Sequence, residues 1–237
     1  SSVLPDQSYL TGVNSAYNYI DLDGSDEYIS VANESAFDYD IDDAFSCSFW
    51  LNNDATSGDH TFMGKGTNTT SSSWLVRQDG SGCRFNFSKS GSQLGNVTAS
   101  GVFSSSGSWI HIVVTYNGGS NLNGAKIYVN GSLSATGSDT AFDGSLLNND
   151  ALAIGSMSGG GTYYNGKIGQ SAFYNKALSA TEVSAIYSLG RHANLLDSYS
   201  DNLVGYWAMS SLDASTGLSD VGNGTIYDRS GQSNHGT

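Results

Sequence analysis

Carboxylates, imidazoles and thiols are the groups through which this sequence could do chemistry, and their spacing decides which kind. Hydrolysis of a glycosidic bond takes two carboxyl groups flanking it, about 5 Å apart when configuration is retained. The three glutamates, Glu27, Glu34 and Glu182, are scattered along the chain. Asp21, Asp23 and Asp26 lie closer together, but at a strand end and a turn, where bonding to the backbone accounts for them. None of His60, His111, His192 and His235 neighbours a Ser or Cys nucleophile motif, and neither Gly-x-Ser-x-Gly nor a phosphate-cradling loop occurs. His111 falls mid-strand and reads as structural. Cys47 and Cys83, with no histidine cluster, make no zinc site. Both sit on the apolar side of alternating strands, which favours two buried thiols over a bridge. The sequence therefore reads as a non-enzyme.

Two binding chemistries stay open. The oxygen-rich turns 21–26, 38–43 and 139–143 offer hard ligands that calcium accepts, although solvated turns explain them equally. A saccharide needs an aromatic face against its C–H groups and amides or carboxylates for its hydroxyls. Trp74 follows the polar loop 66–73, and Tyr163 and Tyr164 follow Gly159-Gly160-Gly161, so these three are the aromatic candidates, with Asn165 and Asn68 as polar companions. The competing reading makes them core or rim residues that begin strands.

The elements that must position these groups are strands. Thirty glycines, one proline and no long helical period point to many short strands joined by turns. The stretch 108–131, SWIHIVVTYNGGSNLNGAKIYVNG, shows the pattern best. Residues 109–116 are rich in β-branched and aromatic side chains, 117–124 supply three Gly and three Asn for the connection, and 125–129 alternate with Ile127 and Val129 opposite Lys126 and Tyr128. Asn130-Gly131 then turns into a third antiparallel strand at Leu133. In FSCSFWL, Phe45, Cys47, Phe49 and Leu51 face the core while Trp50 faces the other way, beneath either a covering layer or a ligand. Further strands are predicted over 17–23, 28–31, 61–65, 74–78, 83–88, 152–156, 163–174 and 203–209. SATEVSAIYSL at 179–189 is the one helix, opened by a Ser179/Glu182 capping box, ended by Gly190 and placed at the sandwich edge.

Nine Lys and Arg against 22 Asp and Glu give a net charge of -13, which repels nucleic acid and anionic lipid. No apolar run approaches the roughly 18 residues of a membrane span, and residues 1–10 lack the features of a signal peptide.

LDGSDEYISV from Leu22, FSCSFWL from Phe45, WIHIVVTYNG and AKIYVNG from Trp109, and YYNGKIGQSAFYNKALSATEVSAIY from Tyr163 together resemble the laminin-G-like, concanavalin A-like jelly-roll superfamily over residues 17–189. The resemblance implies an all-β fold, a two-sheet antiparallel jelly-roll sandwich of about twelve to fourteen strands with one short peripheral helix. It divides the chain into a sandwich domain, 1–194, and a tail, 195–237, with one or two strands that either complete the sandwich or open a further module. LVGYWAM and TIYDRSGQSNHGT in that tail are similar to segments trailing laminin-G-like modules of marine bacteriophage structural proteins. The function so implied is non-enzymatic surface recognition of carbohydrate, or adhesion, on a virion or cell exterior. The alternative is a virion decoration or assembly protein that binds other chains. A glycan or a neighbouring surface protein is the implied partner, with homo-oligomers allowed and nucleic acid and membrane insertion excluded. The resemblance also puts a structural calcium beside the Asp-Gly turn, making Asp23 and Asp26 its candidate ligands. One departure bears on that metal: relatives commonly carry Ile-Asp-Glu where this chain has Ile168-Gly169-Gln170.

Overall fold

The computed structural model describes residues 13–14, 18–67, 71–209 and 224–237, so the candidate Asn68 lies outside the described residues. In chain order the strands are β1 (Val13–Asn14), β2 (Tyr19–Asp23), β3 (Ile29–Val31), β4 (Ala44–Asn53), β5 (Asp59–Lys65), β6 (Ser73–Asp79), β7 (Gly82–Lys89), β8 (Ser92–Ala99), β9 (Ile110–Asn117), β10 (Ala125–Val129), β11 (Ser132–Thr136), β12 (Leu152–Ile154), β13 (Asn165–Tyr174) and β14 (Leu203–Trp207), with one helix, α1 (Ala180–Leu189). They form two antiparallel sheets, the sandwich the alternating pattern predicts. One runs β1-β2-β13-β4-β9-β10-β11, with β14 continuing the β2 row beside the second half of β13; the other runs β3-β12-β5-β6-β7-β8.

The inner faces hold the apolar half of each alternation. Phe45, Cys47, Phe49 and Leu51 are fully buried, as the β4 pattern requires, and both cysteines are buried free thiols whose pKa burial raises. Phe45 is the hub of the aromatic core, stacked on Phe173 at 5.6 Å and 7° and lying 5.2 Å from Trp74 and 5.8 Å from Phe85. Trp74 is only 1% exposed. It begins β6 on the inward face, so the sequence-based expectation of a sugar platform there is overturned by the period of the strand.

The three antiparallel strands expected from the stretch 108–131 form, with Ile127 opposite Val114 and Val129 opposite Ile112. The Gly24 turn joins two strands of different sheets, so it is a crossover and not a hairpin. Strand β8 escaped prediction because SQLGNVTA, on an edge, leaves most of its side chains to solvent and shows little alternation.

The outer face of the larger sheet is divided. Val113, Tyr128, Ala172 and Tyr174, with Leu203 and Tyr206 of β14, make an apolar half covered by Val183 and Ile186 of α1 together with Leu178 and Leu195. Helix α1 therefore lies on a sheet face, not at the sandwich edge, and it is the layer that covers Trp50: the Tyr187 ring stacks 5.7 Å from it at 22°. The Ser179/Glu182 capping box is formed in both directions, and Lys176 further holds the Glu182 carboxylate at 2.5 Å, lowering its pKa to about 2. In the tail, β14 pairs with β13, the Trp207 indole N–H donates to Asn234 O at 3.0 Å, and Thr237 exchanges backbone bonds with Ser30 on β3.

Two expectations follow from this core. Trp74→Ala removes a ring that touches both Phe45 and Phe173 and should destabilise the fold by about 3–5 kcal/mol in urea titration. His111 is fully buried beside Ser48, and burial lowers its pKa from 6.5 to about 3. Only the unfolded chain takes up this proton as pH falls from 6.5 towards 3, so stability is lost across that window; the slope of unfolding free energy against pH should be shallower in His111→Gln.

Candidate functional site

Where α1 does not reach, the same outer face is polar. Ile20 and Leu22 of β2 turn inward, which sends Tyr19, Asp21 and Asp23 outward. In register beside them stand Asn165 opposite Asp23 and Lys167 opposite Asp21, and Asn52 of β4 lies opposite Lys167. The β4–β5 loop adds Asp54, the residue before β9 adds Trp109, and the segment after α1 adds Arg191. These side chains form one strip across β2, β13 and β4.

Two glycines let the strip close up. Gly166 has φ of +137°, and a Cβ there would come 2.4 Å from Asn52 O, so β13 can approach the end of β4 only with glycine. A Cβ at Gly169 would meet Trp109 at 3.2 Å and Arg191 at 3.4 Å, so the missing side chain makes room for the indole. Beside this glycine β13 shifts register between Ile168 and Ser171, and Gln170 stays on the outer side, where its amide donates to Tyr206 Oη at 3.1 Å.

Tyr19 and Trp109 are half-buried and their ring centroids are 5.8 Å apart, with the Arg191 guanidinium carbon 4.0 Å over the Trp109 ring. Lys167 Nζ lies 3.4 Å from Asp21 and 3.6 Å from Asp54. Burial works against the lysine charge, but the two carboxylates outweigh it and hold the ammonium above its ordinary pKa. Both acids turn to this lysine and not to a gap in which a glycosidic bond could lie. The arrangement presents ring faces flanked by carboxylates, an amide and a guanidinium, a donor and acceptor set suited to hydroxyl groups.

Of the residues the sequence singled out, only Asn165 and Asp23 belong to the strip. Tyr163 is half-buried at the rim, its ring 6.2 Å from Tyr28 and its carbonyl accepting from His60 Nδ1 at 2.7 Å. Tyr164 is fully buried edge-on to Phe62, so it is core and not a binding residue; burial raises its phenol pKa and the hydroxyl finds no hydrogen-bond partner. Tyr19, Trp109, Lys167 and Arg191 were missed. The first was signalled by the parity of Tyr19-Ile20-Asp21-Leu22, but the others become neighbours only through strand pairing.

The turn expected to hold calcium offers few free oxygens. Asp23 Oδ1 accepts the Ser25 N–H at 2.8 Å, Glu27 Oε2 accepts the Asp23 N–H at 3.2 Å, and Asp26 is exposed. Among the described residues no three His, Cys, Asp or Glu side chains group closely enough to hold a metal, whereas calcium takes about six to eight oxygens. The turns at 38–43 and 139–143 are engaged too: Asp40 accepts from Leu146 N and Ser145 Oγ, and Asp139 from the Asn121 and Asn123 amides. Farther along the outer face, an open groove of about 350 Å³ is lined by Thr115, Asn117, Lys126, Tyr128 and the start of α1. Its one aromatic, Tyr128, is 3% exposed and presents no ring face.

Comparison with known proteins agrees with this architecture. The Laminin_G_3 model, described as the concanavalin A-like lectin/glucanases superfamily, matches residues 23–184. Similar solved structures include a Bacteroides ovatus ATCC 8483 protein proposed to bind carbohydrate (TM-score 0.55, 18% identity), of which the match covers 93% of this chain and 55% of that one. The chain thus spans about half the length of that relative. The CBM40 of the Ruminococcus gnavus IT-sialidase follows (TM-score 0.56, 12% identity, 72% of this chain and 96% of that one). The heptameric SAP-like pentraxin of Limulus polyphemus is also similar (TM-score 0.53, 16% identity, 75% and 85%). At these identities the likeness is one of fold. No curated protein sequence matches. With more than half its length matched by the family model, this chain belongs to the Laminin_G_3 family of the concanavalin A-like lectin/glucanases superfamily.

Proposed function

We propose that this chain is a non-catalytic carbohydrate-binding module that seats a saccharide on the polar strip of β2, β13 and β4. The observation that carries this reading is the pair of half-buried rings, Tyr19 and Trp109, bordered by Asp21, Asp54, Lys167, Asn52 and Arg191 on one open sheet face. Sugar rings present an apolar C–H face that lies against an aromatic plane, and their hydroxyls reach the carboxylates and amide around it. Membership of a lectin and glucanase superfamily supports this, as do fold neighbours whose names carry carbohydrate binding. The absence of catalysis belongs to the same proposal: of the three acids of the strip, Asp21 and Asp54 are engaged by Lys167 and Asp23 by the Ser25 N–H. An exterior setting, on a cell or a virion, is where such a module would act.

A glycan array should give saturable binding to at least one saccharide class. Trp109→Ala and Tyr19→Ala should each weaken it roughly tenfold with the melting temperature nearly unchanged. Unchanged affinity in both variants would move the site elsewhere, and sugar release from a polysaccharide panel would restore an enzyme. The proposed seat draws on no metal, so binding should be the same in EDTA as in added calcium; a loss in EDTA would favour a calcium at Asp23 and Asp26.

A further inference from the structure

Lys65 stands at an inward position of the smaller sheet. Its register partners are Trp74 on β6 and Leu152 on β12, both core residues, and its own side chain is 1% exposed. An ammonium brought this far from water has to be met by partners. Those come from the turn Glu34–Phe37 and the residue after it. Phe37 is pinned in the core, 5.2 Å from Phe173 and 6.1 Å from Trp207, which brings Glu34 and Asp38 on either side of it to the amine. Lys65 Nζ contacts Asp38 Oδ1, lies 3.0 Å from Glu34 Oε2 and donates to Asn148 O at 2.8 Å. One amine therefore meets two carboxyl groups, more than charge balance requires. The carboxyl side chains are each about a third exposed, while the nitrogen is enclosed.

We propose that Lys65 and Asp38 condense into an intramolecular isopeptide bond, with Glu34 moving the proton. The ion pair already contains every atom needed. Proton transfer within the three-residue cluster gives a neutral Lys65 amine and a protonated Asp38 carboxyl. The amine lone pair attacks Asp38 Cγ, and Glu34 takes a proton from the nitrogen as the N–C bond forms. Glu34 then returns that proton to the departing hydroxyl, which leaves as water when the C–O bond breaks. The products are one amide, one water and an unchanged Glu34, with no change in oxidation state.

Two physical terms favour the step. Held in contact by the fold, the groups react as an intramolecular pair, for which effective concentrations of roughly 10⁵ M and above are known. The product also removes the charge of an enclosed ammonium, whose desolvation its carboxylate partners must offset, and leaves a neutral amide whose N–H can donate to Glu34. The bond would tie the Glu34–Phe37 turn to the middle of the smaller sheet, across a separation of 27 residues.

Intact mass spectrometry of the purified chain in denaturant tests this. Lys65 is the first Lys or Arg in the sequence and Arg77 the next, so trypsin reports directly on the lysine. The expected result is a mass one water below that of the sequence, and a tryptic peptide 1–77 that also lacks one water and is uncut after Lys65. Lys65→Met should restore the full sequence mass, whether or not it folds as well. Glu34→Gln, with an unchanged circular dichroism spectrum, should show the full mass and cleavage after Lys65. Full mass and cleavage at Lys65 in the unsubstituted chain would overturn the proposal, leaving a buried ion pair. Water loss persisting in Glu34→Gln would overturn the role given to Glu34.

Discussion

The stacking of Phe45 on Phe173 is the contact on which the rest of this structure depends. It joins the inner faces of β4 and β13, the pair at the centre of the larger sheet, and it receives Trp74 and Phe85 from the opposite sheet. Because side chains alternate with period two, fixing which residues of β4 and β13 point inward also fixes which point out. Asn165 and Lys167 reach the outer face for the same reason that Leu51 and Ile168 are buried, and Asn52 points the same way beneath Gly107, whose carbonyl accepts from its amide. A shift of one residue in β13 would turn Lys167 inward and Phe173 outward, and one in β4 would turn Phe45 and Phe49 outward.

The irregularity at Gly169 and Gln170 does the rest. Below it, Ala172 and Tyr174 join Leu203 and Tyr206 of β14 in an apolar outer surface that α1, Leu178 and Leu195 cover. Above it, β13 leaves the helix layer, and Lys167 and Asn165 join the outward residues of β2. The strip is thus what remains of a sheet face when a ten-residue helix covers only part of it. Trp109 and Arg191 border the two parts, over a glycine that has no side chain to exclude them.

Most of the fold was legible in the chain. FSCSFWL and WIHIVVTYNG give their faces away by alternation, and Ser179 with Glu182 announces a helix start by hydrogen bonds that the sequence alone implies. The site was legible far less. Trp74 and Tyr164 looked like platforms because they follow polar loops, yet a residue that begins a strand faces in or out according to a parity that sequence position does not reveal. Arg191 reaches Trp109 across 82 positions, and Lys167 reaches Asp54 across 113, so neither contact has a local signature. The buried Lys65 was hidden for a related reason: at the end of HTFMGK it reads as the polar close of a strand, and only the pairing with Trp74 shows that it points into the core.

Amide and indole NMR shifts followed during titration with an array-selected saccharide test the central claim most directly. The account predicts that the perturbed signals are those of Tyr19, Asp21, Asn52, Lys167 and the Trp109 indole. Perturbations confined to Thr115, Lys126 and Ser179 around the groove would contradict it.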